Sequence, residues 1–185
     1  MKMLIVIALT CLASSASAEF TCDDCLSFAG KLGGYLQSAG SIEEQIEILV
    51  ASVCPLLDDP AGCETGVRTW WEGIALAMYP VFLEANSVCD LLGACGKKSI
   101  VKVPTCDECS GSITAVAGVI ESEAKIAEII DFLKGDGFCV GTGAAEGCGV
   151  YIDAFMPAAM PVLAGVLTER AETYCCELSD EGVCC

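Results

Sequence analysis

A six-cysteine framework that occurs twice constrains this chain more than any other feature. The first copy is Cys22, Cys25, Cys54, Cys63, Cys89 and Cys95. The second opens with Cys106, Cys109, Cys139 and Cys148 and closes among Cys175, Cys176, Cys184 and Cys185. Successive gaps are 3, 29, 9, 26 and 6 in the first copy, and 3, 30, 9 and 27 in the second if Cys175 is the fifth member. Two unrelated runs of cysteine do not agree this closely, so the sequence reads as a duplication. Each unit is roughly 75–80 residues long, a size at which a hydrophobic core needs covalent staples.

The cysteines also indicate a compartment. Residues 1–18 read as a secretory signal peptide: Lys2, an apolar run from Met3 to Leu12, and the small-residue cleavage site Ala16-Ser17-Ala18. The apolar run is too short to span a bilayer. Removing it takes away Cys11 and leaves fourteen of the 15 cysteines, an even number suited to bridges in an oxidising compartment. Zinc is disfavoured for the two Cys-x-x-Cys motifs, because the chain has no histidine and secretion favours disulfides. No strand–helix alternation supports a thioredoxin-like dithiol. The expected organisation is a signal peptide over 1–18, a first domain over 19–95, a linker over 96–104 and a second domain over 105–185.

Charge excludes several partners. Without the leader the chain carries 8 basic and 26 acidic residues, a net −18. Neither unit has a basic patch, and Lys97, Lys98 and Lys102 stand in the linker, so nucleic acid is not an expected partner. Electrostatic attraction to anionic lipid at neutral pH is equally disfavoured. Yet 54% of residues are hydrophobic. The acidity keeps the chain soluble, and the apolar excess points to more greasy surface than two small cores bury.

The periodicity is helical almost throughout. A helix is expected from Cys22 to about Gln37, weakened by Gly30, Gly33 and Gly34. A capping box of Ser41 with Glu44 is expected to open the next, with Ile42, Ile46, Leu49, Val50 and Val53 on one face and Pro55 as its stop. A turn at Asp58 to Gly62 leads to a helix from Cys63 through Trp70, Trp71, Ile74 and Met78, kinked or broken at Pro80. In the second unit the first helix runs from Cys106 to about Ile120. Ile126, Ile129, Ile130 and Leu133 mark the next, ended by Gly135-Asp136-Gly137. A glycine-rich loop (Gly141, Gly143, Gly147) precedes a helix from about Cys148 to Tyr174, broken or bent near Pro157 and Pro161.

These residues resemble the saposin B-type domain. The near-identical openings Thr21-Cys22-Asp23-Asp24-Cys25 and Thr105-Cys106-Asp107-Glu108-Cys109 carry the resemblance, as does the closing Cys89-Asp90-Leu91-Leu92-Gly93-Ala94-Cys95. It covers nearly all of the chain after the leader. It implies an all-α fold of two tandem disulfide-stapled domains, each of four to five amphipathic helices arranged as two leaves. It also implies the pairing first to sixth, second to fifth and third to fourth. For the first unit that gives Cys22–Cys95, Cys25–Cys89 and Cys54–Cys63. In the second it gives Cys139–Cys148, with Cys106 reaching Cys184 or Cys185 and Cys109 reaching Cys175 or Cys176. The second unit departs from the pattern in having two cysteines too many, which leaves one further local bridge or an interchain one. A second departure is that Asn86 is not followed by an acceptor pattern for glycosylation.

Catalytic chemistry is not expected. Without histidine there is no Ser-His-Asp or Cys-His arrangement, and bridged cysteines are not nucleophiles. The adjacent carboxylates Asp23-Asp24, Glu43-Glu44 and Asp58-Asp59 are ordinary in so acidic a chain. The run from Gly141 to Gly147 lacks the lysine of a phosphate loop. No metal or cofactor is expected. The residues that remain as candidates face lipid: Phe28, Trp70, Trp71, Met78 and Phe82 in the first unit, and Phe155, Met156, Met160, Val162 and Leu163 in the second. Core packing is the ordinary reading of each alone. Together they suit a leaf that closes on itself, forms a homodimer or encloses acyl chains. The leader and the cysteines imply secretion, the resemblance implies membrane lipids as ligands and a lipid hydrolase as a client, and the acidity implies lipid binding favoured as pH falls, suited to a lysosome-like compartment. Its alternative is a membrane-permeabilising effector of the amoebapore kind. The dibasic Lys97-Lys98 raises the further expectation of cleavage between the units.

Overall fold

The computed structural model describes residues 22–91, 95, 105–178 and 184–185. The expected signal peptide and the Lys97-Lys98 pair lie outside the described residues. Among the described residues the fold is helical, with no strand. Eight α-helices follow in order: α1 (Cys22–Leu36), α2 (Ala39–Ser52), α3 (Pro60–Phe82), α4 (Ala85–Leu91), α5 (Cys106–Ile120), α6 (Glu123–Phe132), α7 (Ala145–Glu169) and α8 (Ala171–Leu178).

Local chemistry sets most of the ends. Thr105 and Glu108 form a reciprocal capping box at α5: the Thr105 N–H donates to the Glu108 carboxylate at 2.8 Å, and the Glu108 N–H donates to Thr105 Oγ1 at 3.3 Å. Ser122 caps α6 by accepting from the Lys125 N–H. Asp59 caps α3 by accepting from the Gly62 N–H at 3.0 Å, with Pro60 in the first turn.

The structure differs from the expected boundaries in three places. α2 opens three residues before the Ser41/Glu44 box, because Ser38 is its cap and accepts from the Ser41 N–H. The Ser41 side chain is instead buried, accepting from Gln45 Nε2 at 3.0 Å. α3 runs through Pro80 to Phe82, and α7 runs through Pro157 and Pro161 before a break at Arg170. A proline in a helix forfeits one backbone bond and crowds the preceding turn; here both helices are held along their length by buried faces. Pro55 stands inside a short 3₁₀ turn, Cys54–Leu56, that follows α2.

Seven disulfides use all fourteen cysteines from Cys22 onward. In the first half they are Cys22–Cys95, Cys25–Cys89 and Cys54–Cys63. In the second they are Cys106–Cys184, Cys109–Cys175 and Cys139–Cys148. The two supernumerary cysteines form the local bridge Cys176–Cys185. Each half is therefore closed end to end, with its central hairpin clipped by a bridge spanning nine residues. Long loops closed this way contribute about 2–4 kcal/mol per bridge. So many disulfides are typical of extracellular or lysosomal proteins.

No bridge joins the halves, yet they share one core. α2 packs on α7, α1 on α8, and α3 on the turn Leu133–Gly137 that follows α6. Buried residues of both halves form one contiguous cluster that includes Trp71, Ile74 and Met78 from α3 and Ile152, Phe155 and Met156 from α7.

Candidate functional site

The seam between the halves is where the apolar faces expected to meet lipid are found. Of the ten candidates, Trp71, Met78, Phe155, Met156, Met160 and Leu163 are buried, none more than 7% exposed. Phe28, Trp70, Phe82 and Val162 are partly buried and pack against the same cluster. The large apolar side chains that do face solvent among the described residues are others: Leu56, Leu76, Val81, Val140 and Val150.

The seam is aromatic. Trp70 meets Tyr151 edge-on with ring centroids 5.0 Å apart, and Trp71 meets Phe155 at 6.2 Å. Tyr151 and Phe155 stack on one another along α7 at 5.0 Å. Further along, Phe82 packs edge-on against Phe132 at 5.4 Å, with Lys125 Nζ 5.5 Å above the Phe82 ring. Such pairs add about 0.5–1.5 kcal/mol beyond the area they bury.

Two glycines of α3 make room for this. A Cβ on Gly66 would lie 2.5 Å from the Tyr151 ring, and one on Gly73 would lie 2.6 Å from the Phe138 ring. The two glycines are seven residues apart and therefore share one face of α3. They form two recesses in which aromatics of the other half rest on bare backbone.

Beneath Trp71 lies the buried polar centre, Gln45. Its Oε1 accepts from Trp71 Nε1 at 3.0 Å and from the Tyr79 hydroxyl at 2.7 Å. Its Nε2 donates to the Leu36 carbonyl and to Ser41 Oγ, both at 3.0 Å. The amide is thus fully used, as a buried polar group must be. Burial pushes the Tyr79 phenol well above its ordinary value, so it remains a donor. Across the seam, the Tyr151 hydroxyl is buried with no partner, and burial likewise raises its pKa.

One end of the seam opens as a cleft of about 490 Å³, open mouth included. Its floor is apolar: Leu36, Ile48 and Leu83 from the first half, and Ile120, Met160, Leu163 and Leu167 from the second. Its mouth is charged. Arg170, in the break between α7 and α8, donates through Nη1 to Glu44 Oε1 of α2 in a half-exposed ion pair joining the halves. That bond raises the Arg170 pKa. Tyr35 and Tyr174 stand beside the pair with ring centroids 5.3 Å apart. The phenols of both are raised by burial first, then by neighbouring charge, including Glu44.

Three features of the site are not among the expected ones. The Glu44–Arg170 pair spans 126 residues and leaves no local trace. Gln45 reads in sequence as one more polar helix position. Gly66 and Gly73 carried the available signal, two glycines at heptad spacing around Trp70 and Trp71. Among the described residues no cluster of three or more histidine, cysteine, aspartate or glutamate side chains could hold a metal ion. What the arrangement offers is an apolar seam with a charged mouth. Comparison with family models, curated proteins and solved structures finds no match to this chain.

Proposed function

We propose that this is a secreted protein of two saposin-like domains that binds, solubilises or transfers membrane lipids and is not an enzyme. The observation that carries the reading is the seam itself. Two separately bridged halves hold large apolar surfaces against one another without a disulfide between them. Such surfaces exchange partners at lower cost than a covalently closed core, because an acyl chain offers a leaf the same apolar contact that the other leaf provides. Methionines at the seam, Met78, Met156 and Met160, suit a surface that repacks. Acid favours lipid binding in this reading. Carboxylates titrate near ~4, so the repulsion between a chain of net −18 and an anionic bilayer fades between about pH 5 and 4. That range fits a lysosome-like or digestive lumen, where a lipid hydrolase would be the client.

Two measurements test this. Mass spectrometry of an organic extract of the purified protein is expected to find bound lipid. Co-sedimentation with phosphatidylserine vesicles is expected to rise as pH falls. Equal binding at both ends of the range would remove protonation as the switch, and absence of binding throughout would remove the lipid reading.

A second reading has one observation in its favour. α7 is 25 residues long with a mean hydropathy of 1.7 over its most apolar window, and 44% of that window is buried. At 1.5 Å per residue it is long enough to cross a hydrocarbon core of about 30 Å. A membrane-permeabilising effector would use such a helix. Dye release from vesicles separates the readings: a lipid carrier binds without leakage, whereas a permeabilising protein empties the vesicles.

A further inference from the structure

We propose that the Glu44–Arg170 pair is a latch on the seam, and that the ligand which replaces it is a zwitterionic phospholipid headgroup. The inference rests on the lipid-binding reading and adds to it the class of headgroup and the residues that select it.

The cleft is narrow behind its mouth: Leu36, Leu83, Leu163 and Leu167 wall it and are 4%, 8%, 7% and 6% exposed, so little room is left between the opposing walls. An acyl chain enters only as the halves part there. Glu44 belongs to the first half and Arg170 to the second, so parting pulls them away from each other. Each loses the partner that had answered its charge, at the half-exposed rim of an apolar surface. An anionic headgroup would satisfy Arg170 and leave Glu44 facing a like charge. A cationic one would do the reverse. A head carrying a phosphate and a quaternary ammonium together answers both.

The surrounding groups fit the same head. A guanidinium presents a planar fork of donors to phosphate oxygens. Tyr35, in the same half as Glu44, supplies an aromatic face beside it, the setting in which a quaternary ammonium binds. The apolar floor under this mouth takes the chain, so headgroup and tail are read by one continuous surface.

The test is titration calorimetry of the full chain with lysophosphatidylcholine and lysophosphatidylglycerol of the same acyl chain, below their micelle concentrations, at about pH 6, above the ordinary carboxylate range. The wild type is expected to prefer the choline lipid by about tenfold, the scale of one charge-assisted contact. Glu44→Gln frees Arg170 from its partner, so the glycerol lipid should gain and the preference vanish or invert. Arg170→Gln should weaken binding of the choline lipid by about tenfold. The exchange Glu44→Arg with Arg170→Glu keeps one charge of each sign at the mouth and should restore the preference. It also controls for any loss of fold in the single variants. Equal binding of both lipids by the wild type, or an unchanged ratio in the variants, would overturn the latch while leaving the lipid reading intact. No binding of either lipid by any form would overturn both.

Discussion

Replacing Gly66 and Gly73 by alanine sets two well-understood effects against each other. Both residues lie inside α3, where alanine is favoured over glycine by about 1 kcal/mol each, so a half of the chain considered alone gains about 2 kcal/mol. Across the seam the sign reverses. The new methyl groups would stand 2.5 Å from the Tyr151 ring and 2.6 Å from the Phe138 ring, about 1 Å inside ordinary contact. Forcing a methyl group into packed surroundings costs about 1–3 kcal/mol, or roughly 2–6 kcal/mol for the pair. The steric cost outweighs the gain in helix propensity if the halves are closed on each other. The double variant is then less stable than wild type in chemical denaturation. Its tryptophan emission shifts to the red, because Trp70 and Trp71 lie at the seam beside these glycines and Trp71 is fully buried. A double variant that is more stable than wild type, with unchanged emission, would refute the closed pairing, since helix propensity alone would then be acting.

Gln45→Leu removes both acceptor and donor from the buried centre and orphans Trp71 Nε1, the Tyr79 hydroxyl and the Leu36 carbonyl. A loss of about 2–4 kcal/mol is expected in urea unfolding, where Ser41→Ala, which removes one bond, should cost less. Cleavage between residues 95 and 105 is expected to leave the halves together, eluting as one species in gel filtration and separating under denaturant without reductant, because no disulfide crosses between them. All four tyrosines of the chain have phenols raised above the ordinary value of 10.0, with burial the largest cause for each. A raised folded pKa contributes stability that is complete below the unfolded value and lost as pH rises toward the folded one. Stability should therefore be flat through neutrality and fall above about pH 10, with tyrosinate absorbance appearing together with unfolding rather than before it.

How much of this was legible in the sequence follows from the range of each interaction. Cysteine spacing locates the repeated framework, and helical periodicity places the apolar faces, because both are written in local order. The match of Ser41 with Glu44 to a capping box places the start of α2 three residues late, because the cap in the structure is Ser38. Gln45 makes the choice, because its side chain needs the Ser41 hydroxyl in the interior. Pro80, Pro157 and Pro161 suggest breaks that burial of the surrounding helix overrides. The seam cannot be read at all from periodicity. A stripe such as Trp71, Ile74 and Met78 looks the same whether it covers its own domain, a lipid or a second copy, and only the contacts with Phe155 and its neighbours decide.

The recess at Gly66 has a consequence for which halves can recognise each other. Gly66 stands three residues after Cys63, and Tyr151 stands three residues after Cys148, so each is the other's counterpart in the duplicated framework. A position that meets its own counterpart is what a two-fold arrangement produces on its axis. In a pair of identical units that position would hold glycine against glycine, leaving a void, or tyrosine against tyrosine, colliding. Here the two counterpart positions differ, one a hole and the other a bump. Specificity of this kind works by penalising the wrong partners as well as by rewarding the right one. The first half is shaped at this site to accept the second rather than another copy of itself.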